Sequence, residues 1–169
     1  MKFKALLSSL LLVGTLIMFY SCGSDDDSNG SFTFDGNNYT LSAGLIEDYG
    51  SNGNGSWDYD VTLVSDGISF ANDELTGTGD FVYLDLNTSS NGGLESGTYN
   101  WSSTRGPLTI VSATVGLDFN VETLSGTGVN LTGGSVTVDV SGQDVTITLN
   151  LEATGMLLTG TYSGPLEEL

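Results

Sequence analysis

The chain of 169 residues contains no histidine, one cysteine and only three basic residues. A Ser-His-Asp or Cys-His nucleophile and a His/Cys zinc site therefore lack their essential groups. A disulfide within the chain would need a second cysteine, so the fold must be held by its apolar core. The chemistry that remains is that of carboxylates, which hydrolyse glycosides as pairs or ligate metals through oxygen.

Basic residues are almost confined to the N-terminus, where Lys2 and Lys4 lie, and the third is Arg105. The 21 acidic residues all follow position 21, so the chain from there on has a side-chain charge near −20, from 21 acids and one arginine. Such a charge repels nucleic acid and anionic headgroups. No nucleic-acid partner is expected, whereas divalent cations, cationic or neutral ligands and basic protein patches remain candidates.

The first 21 residues have the pattern of a secretion signal. Lys2 and Lys4 precede a mostly apolar run that ends at Tyr20, and this run is shorter than the about 20 apolar residues of a comfortable membrane span. Its end, Met18-Phe19-Tyr20-Ser21-Cys22, resembles the lipobox of bacterial lipoproteins. The resemblance implies cleavage after Ser21 and acylation of Cys22, which anchors the protein to a membrane through its lipid chains.

An acidic run follows the cysteine. Its residues Ser24-Asp25-Asp26-Asp27 resemble the export signal of Bacteroidota-type surface lipoproteins, which implies transfer to the outer face of the outer membrane. Residues 22–31 are predicted to form a flexible acidic tether and residues 32–169 one domain. The chain without its signal has 148 residues (169 minus 21), a normal length for one domain.

From Ser31 onward, apolar and polar residues alternate and turn residues recur about every ten positions. The pattern predicts an all-β domain, a single antiparallel β-sandwich of about nine strands, with a lipocalin-like closed β-barrel as the alternative. Residues 47–56 and 72–80 are predicted to be acidic loops, and residues 126–134 a Gly/Thr loop. The last 90 or so residues, with strands such as Val145-Thr146-Ile147-Thr148-Leu149, resemble small β-rich lipoproteins of Bacteroidota, which implies fold and location but no reaction.

Oxygen ligands are concentrated in and beside the two acidic loops. If these loops meet at one end of the domain, their side chains could supply the six or seven oxygens that calcium prefers. The alternative is that they are solvated loops of a protein that is acidic throughout. The candidate calcium ligands are Glu47, Asp48, Asn52, Asn54, Asp58, Asp60, Asp73, Glu74 and Asp80.

Four aromatic residues are candidates for ligand binding, because a ring exposed beside hydrogen-bonding groups can stack on a sugar. They are Phe81, Tyr83, Tyr99 and Trp101; the alternative is that their rings belong to the core.

No catalytic residue is predicted. The expected function is that of a non-enzymatic binding or accessory module of the outer membrane, for a glycan, a peptide or a partner protein. The alternatives are a structural or adhesive surface protein, a carboxylate-based glycoside hydrolase and a lipocalin-like carrier.

Overall fold

A computed structural model describes residues 29–72 and 74–169, and the all-β prediction is confirmed. Residues predicted for lipidation and export, Cys22 and Ser24 to Asp27, lie outside the described residues, as does Asp73. Within the described ranges no helix is long and apolar enough to cross a membrane. The strands are β1 (Gly30–Phe34), β2 (Asn37–Leu41), β3 (Ala43–Ser51), β4 (Trp57–Val64), β5 (Ile68–Ala71), β6 (Glu74–Thr88), β7 (Gly97–Trp101), β8 (Thr109–Asn120), β9 (Ser125–Asn130), β10 (Gly133–Ser141), β11 (Asp144–Ala153) and β12 (Met156–Glu168).

Eight of these strands form a closed β-barrel, which was the alternative to the sandwich. The order around it is β11-β10-β7-β8-β6-β4-β3-β12, and the pairing of β12 with β11 closes the ring. Most neighbours are antiparallel, but β7 with β8 and β12 with β3 are parallel. The barrel is therefore not a simple up-and-down meander, although β10, β11 and β12 form one.

The other four strands extend this barrel. β1 and β2 form a hairpin attached to β12, β5 pairs with the start of β6, and β9 pairs with the end of β8. Four boundaries differ from the predictions: β1 begins at Gly30, residues 47–51 of the first predicted acidic loop belong to β3, most of residues 72–80 belong to β6, and residues 126–134 contain most of β9. In each case a neighbouring strand edge supplies backbone partners that the local sequence does not reveal.

The barrel interior is filled by side chains. Along β6, Val82, Leu84 and Leu86 are fully buried and point inward, while Phe81 and Tyr83 lie on the outer face and are half-buried. This alternation follows from the two-residue period of a strand. The largest buried side chains are Tyr99, Tyr162, Phe32, Leu41, Leu45, Leu63, Leu84, Leu86, Ile110, Ile147, Leu149 and Leu151.

Part of the outer surface is a regular array of small uncharged polar side chains, here called the hydroxyl face. Because strands β7, β10, β11, β12, β1 and β2 pair in register, residues of similar chemistry lie opposite one another. One row consists of Thr98, Thr137, Thr148, Thr161, Ser31 and Thr40, and the next of Asn100, Ser135, Asn150, Thr159, Thr33 and Asn38.

Candidate binding site

The outer face formed by β4, β6 and β8 changes from apolar to acidic along the strands. At one end, Val64 lies opposite Phe81, which lies opposite Gly116. Two residues further on, at a spacing of about 6.6 to 6.8 Å, the row is Thr62, Tyr83 and Thr114. The next row is Glu47 on β3, Asp60 and Asp85, and it is followed by Ser112.

The apolar end of this face is a concave site of about 430 Å³, here called the outer groove. Its floor consists of outward side chains of the barrel strands, Thr62, Val64, Phe81, Tyr83 and Thr114. Its walls come from the β5–β6 hairpin and the turn between β8 and β9, and consist of Ile68, Leu75, Phe119, Val121 and Leu124. The volume lies within the range of small-molecule sites, about 300 to 1,000 Å³.

The two walls of the outer groove are tied to each other. The Val121 amide donates to the Gly77 carbonyl at 3.1 Å, and the Asn120 side chain donates to Thr78 Oγ1 at 2.9 Å. The Asp118 amide donates to Asp80 Oδ1 at 3.0 Å. These bonds join the β8–β9 turn to β6, so the groove has a defined shape.

Two features increase the apolar character of the outer groove. Phe81 packs edge-on against Phe119, with ring centroids 5.3 Å apart, and lies over Gly116, where a Cβ would clash with its ring. At the rim, Leu124 is 77% exposed with a positive φ of 53°. A large exposed apolar side chain beside an apolar concavity is typical of an interaction site.

At the acidic end, Arg105 reaches from the β7–β8 connection over β6 to β4. Its Nη2 donates to Asp85 Oδ2 at 2.7 Å and its Nη1 donates to Asp85 Oδ1 at 2.9 Å. Nη1 also contacts Asp58 Oδ1. The carboxylate side chains are only 14% exposed for Asp58 and 7% for Asp85, so the guanidinium compensates two charges that are largely withdrawn from water.

Amides hold this arginine in place. Asn87 Oδ1 accepts hydrogen bonds from Arg105 Nη1 at 3.3 Å and from Asn52 Nδ2 at 2.8 Å. The Asn54 side chain donates to the Arg105 carbonyl at 2.9 Å. The loop between β3 and β4 and the connection before β8 are thereby fixed over the same two strands.

Glu47, Asp60 and Asp85, here called the carboxylate row, lie directly opposite one another on β3, β4 and β6. Tyr49 donates its hydroxyl to Glu47 Oε2 at 2.9 Å, and Tyr83 donates to Asp60 Oδ2 at 2.7 Å. Burial raises the pKa of Asp85 to about 6, and the Asp58 charge acts in the same direction. Burial also raises the pKa of Asp60, although the bond from Tyr83 opposes it. The raised pKa values make the Asp60 and Asp85 carboxyls less acidic than ordinary aspartic acid side chains.

The candidate calcium ligands do not assemble as one two-loop site. Asp58 and Asp60 lie together with Asp85, and one carboxylate oxygen of each lies within 4.8 Å of the others. Asp80 and Glu74 lie towards the opposite end of the β4–β6 pair, because Val64 pairs with Phe81 there, whereas Asp58 pairs with Asn87 at the other end. Asp48 is exposed and accepts a bond from the Gly50 amide. Calcium binding stays a prediction, and Arg105 already compensates Asp58 and Asp85.

The four candidate aromatic residues are divided between the surface and the core. Phe81 and Tyr83 line the outer groove. Tyr99 is fully buried, and its hydroxyl donates to the Glu95 carbonyl at 3.0 Å. Trp101 packs against the main core. Tyr99 and Trp101 therefore belong to the core, which was the alternative to ligand binding. Both lie on the side of β7 that faces the barrel interior.

Sequence reasoning did not select Asp85, Arg105 or the walls of the outer groove. Asp85 shares the polar side of the β6 alternation with Tyr83, which was the available signal for it. Arg105 is the only basic residue after Lys4, and this scarcity could have indicated a paired role. The groove walls depend on pairings between distant strands, for which the sequence holds no local signal.

A more polar cavity of about 580 Å³ lies between the end of β3, the loop of residues 91–93 and the end of β12. Glu47, Asp48 and Tyr59 are among its lining residues. It offers less apolar surface than the outer groove, which is therefore the better candidate for a binding site.

No protein-family model, no curated protein and no solved structure matches this chain.

Proposed function

We propose that the protein is a lipid-anchored, non-enzymatic binding module of the outer membrane that faces the cell exterior, and that the outer groove is its binding surface. The observation that carries the proposal is an apolar concavity on the outside of a barrel whose inside is filled. Its floor and walls are built from three barrel strands and two hairpins that hydrogen bonds hold together. A carrier would instead need its cavity inside the barrel.

The lining of the outer groove favours a ligand with an apolar body. Phe81, Phe119 and Leu124 offer ring and aliphatic surface, and only Thr62, Thr114 and the tip of Tyr83 offer polar atoms. A hydrophilic glycan would leave many hydroxyls without partners there, at a cost for each unpaired buried group. An apolar small molecule or an apolar side chain of a peptide fits this surface better.

The carboxylates support a binding role over glycoside hydrolysis. Asp58, Asp60 and Asp85 are close enough to act as a pair, and the pKa of Asp85 is raised as a general acid requires. However, the Arg105 guanidinium contacts two of them, and none of the three lines the cavities described above. Neither of these two cavities therefore brings a sugar against the three carboxylates.

A second candidate function is structural or adhesive, and the hydroxyl face favours it. Rows of Thr, Ser and Asn across six strands present a wide neutral surface on a very acidic protein. Such a surface can approach neutral polymers or other copies without charge repulsion.

Binding in the outer groove is tested with a neutral solvatochromic dye such as Nile red. The change Thr62→Trp places an indole on the groove floor and is expected to weaken dye binding at least about tenfold, equivalent to 1.4 kcal/mol. Thr40→Trp, on the hydroxyl face of β2, is the matched control and is expected to bind the dye as the unchanged protein does. Equal dye binding by both variants, with melting temperatures unchanged, would contradict the proposal and favour the adhesive role.

The anchor is tested separately in the full chain. Cys22→Ser removes the acylation site and is expected to move the protein from the detergent-rich to the aqueous phase of a Triton X-114 separation, because the lipid chains supply the membrane affinity. Ser21→Ala, which keeps a small residue before the cysteine, is the control. A Cys22→Ser protein that stays in the detergent phase would show that the anchor is not at this residue.

A further inference from the structure

The outer groove and the carboxylate row are neighbours on the same outer face of the sheet. Tyr83 belongs to both, because its ring lines the groove and its hydroxyl donates to Asp60 Oδ2 at 2.7 Å. Along β4, Val64, Thr62 and Asp60 point to the same outer side in successive steps of about 6.6 to 6.8 Å. A ligand in the groove can therefore reach the carboxylates by extending across one or two rows.

The carboxylate row has too few cationic partners. Arg105, the only basic residue after Lys4, is engaged by Asp58 and Asp85. Glu47 and Asp60 receive hydrogen bonds from tyrosine hydroxyls, which bring no positive charge. Like charges directly opposite each other on neighbouring strands destabilise a sheet, and Glu47 lies directly opposite Asp60. A positive charge placed between them would relieve this repulsion.

Two tyrosines reach these carboxylates with their hydroxyls. Tyr49 is 59% exposed and bonded to Glu47, and Tyr83 is bonded to Asp60. Tyrosine faces attract organic cations, by about 0.5 to 1 kcal/mol at exposed sites and about 2 when desolvated. Carboxylates and rings together are suited to an ammonium group more than to a bare metal ion, which prefers oxygen ligands alone.

Resting on the proposed function, we infer that the ligand of the outer groove is a small amphipathic cation, with an apolar body in the groove and one ammonium-type group at Glu47 and Asp60. The two parts are separated by one or two rows of the sheet, roughly 7 to 13 Å. Charge complementarity selects this ligand, because the groove opens beside uncompensated carboxylates. An anionic amphiphile of the same length would meet repulsion at the same place.

The test uses three compounds with one chain length, octyltrimethylammonium, octanol and octyl sulfate, each below its micelle concentration. Their affinities are measured by displacement of Nile red at pH 7 and 150 mM salt. We expect the cation to bind about tenfold more tightly than the alcohol, and the sulfate to bind most weakly. The quantity compared between variants is the ratio of the cation and alcohol affinities.

Two double variants with the same change in net charge separate a local from a general charge effect. Glu47→Gln/Asp60→Asn keeps acceptor oxygens for both tyrosines and is expected to lower the ratio to about twofold or less. Asp139→Asn/Asp144→Asn removes two exposed charges on β10 and β11 and is expected to leave the ratio unchanged. An equal ratio in both variants, or equal binding of all three compounds, would overturn the inference while the proposed function stands. Failure of every compound and of the dye to bind would overturn the proposed function itself.

Discussion

Replacing Leu158 by alanine is expected to lower the free energy of unfolding by about 2 to 5 kcal/mol. The Leu158 side chain is completely buried in the main core, on the inward side of β12. Its removal costs the transfer free energy of the lost methyl groups and leaves a cavity, since β12 is held by pairing on both edges and cannot move inward freely. Urea unfolding followed by tryptophan fluorescence measures the difference.

The neighbouring residue supplies the control. Leu157 is the same residue type on the same strand, but it points outward and is 55% exposed. Leu157→Ala is therefore expected to change stability by no more than about 0.5 kcal/mol. A larger loss for Leu157→Ala than for Leu158→Ala would contradict the register of β12, because a shift by one residue exchanges the two faces of a strand.

The second large effect is expected for Arg105→Met, which removes the charge and keeps much of the apolar stem. It leaves Asp58 and Asp85 largely buried without a cation. Breaking a fully buried ion pair costs about 3 to 5 kcal/mol, and we expect about 2 to 3 kcal/mol at pH 7 because 36% of the arginine side chain is exposed. Arg105→Lys, which keeps the charge but cannot donate to both Asp85 oxygens in parallel, is expected to lose less.

The loss in Arg105→Met has a distinctive pH dependence. The pKa of Asp85 is raised from 3.8 in the ordinary group to about 6, so its protonated form stabilises the folded state below about pH 4. This contribution is lost as the pH rises from about 4 to 6, and the pKa of Asp60 is shifted in the same direction. In Arg105→Met the fall with pH should be steeper, since no cation remains to offset the ionised carboxylates.

Unfolding titrations at pH 4, 5, 6 and 7 measure these slopes. Asp85→Asn cannot ionise and should flatten the slope of the unchanged protein, and Asp85→Asn/Arg105→Met should be more stable at pH 7 than Arg105→Met alone. Asp144→Asn, at the exposed first position of β11, is the control and should keep the slope. A variant Arg105→Met that is equally stable at all four pH values would show that the arginine does not compensate these carboxylates.

The alternation of apolar and polar residues was sufficient to predict strands and their faces. It did not predict how the strands pair to close the barrel. Val136, Val138 and Val140 alternate with polar residues, and this pattern predicted β10 and its inward side correctly. Closure requires β12 to pair with β11 on one edge and with β1 and β3 on the other. Those contacts join distant parts of the chain, and sandwich and barrel strands have the same local pattern.

The candidate site was predictable in its outward residues and not in its partners. Phe81 and Tyr83 were selected as rings that a ligand could contact, and they lie on the outer side of β6, opposite Val82 and Leu84. Asp58 and Asp60 were selected as oxygen-rich, but their association with Asp85 and Arg105 depends on the pairing of β4 with β6 and on the connection after β7. Glycine-containing segments such as β9 have weak intrinsic strand propensity. β9 forms a strand because β8 offers an open edge with which it can pair.

The pairings of β12 also determine the order in which the fold can be completed. Gly30 of β1 pairs with Tyr162, and Gly44 of β3 pairs with Leu166, so the earliest strands wait for one of the last segments to be synthesised. Until then the edges of β1, β3 and β11 have free backbone donors and acceptors, which other chains can engage. Bringing such distant segments together costs loop-closure entropy before their contacts can stabilise the fold. Folding is therefore expected to be slow. A nascent chain of this protein is therefore expected to complete its fold only after β12 has emerged, which agrees with the proposed export of an unfolded chain.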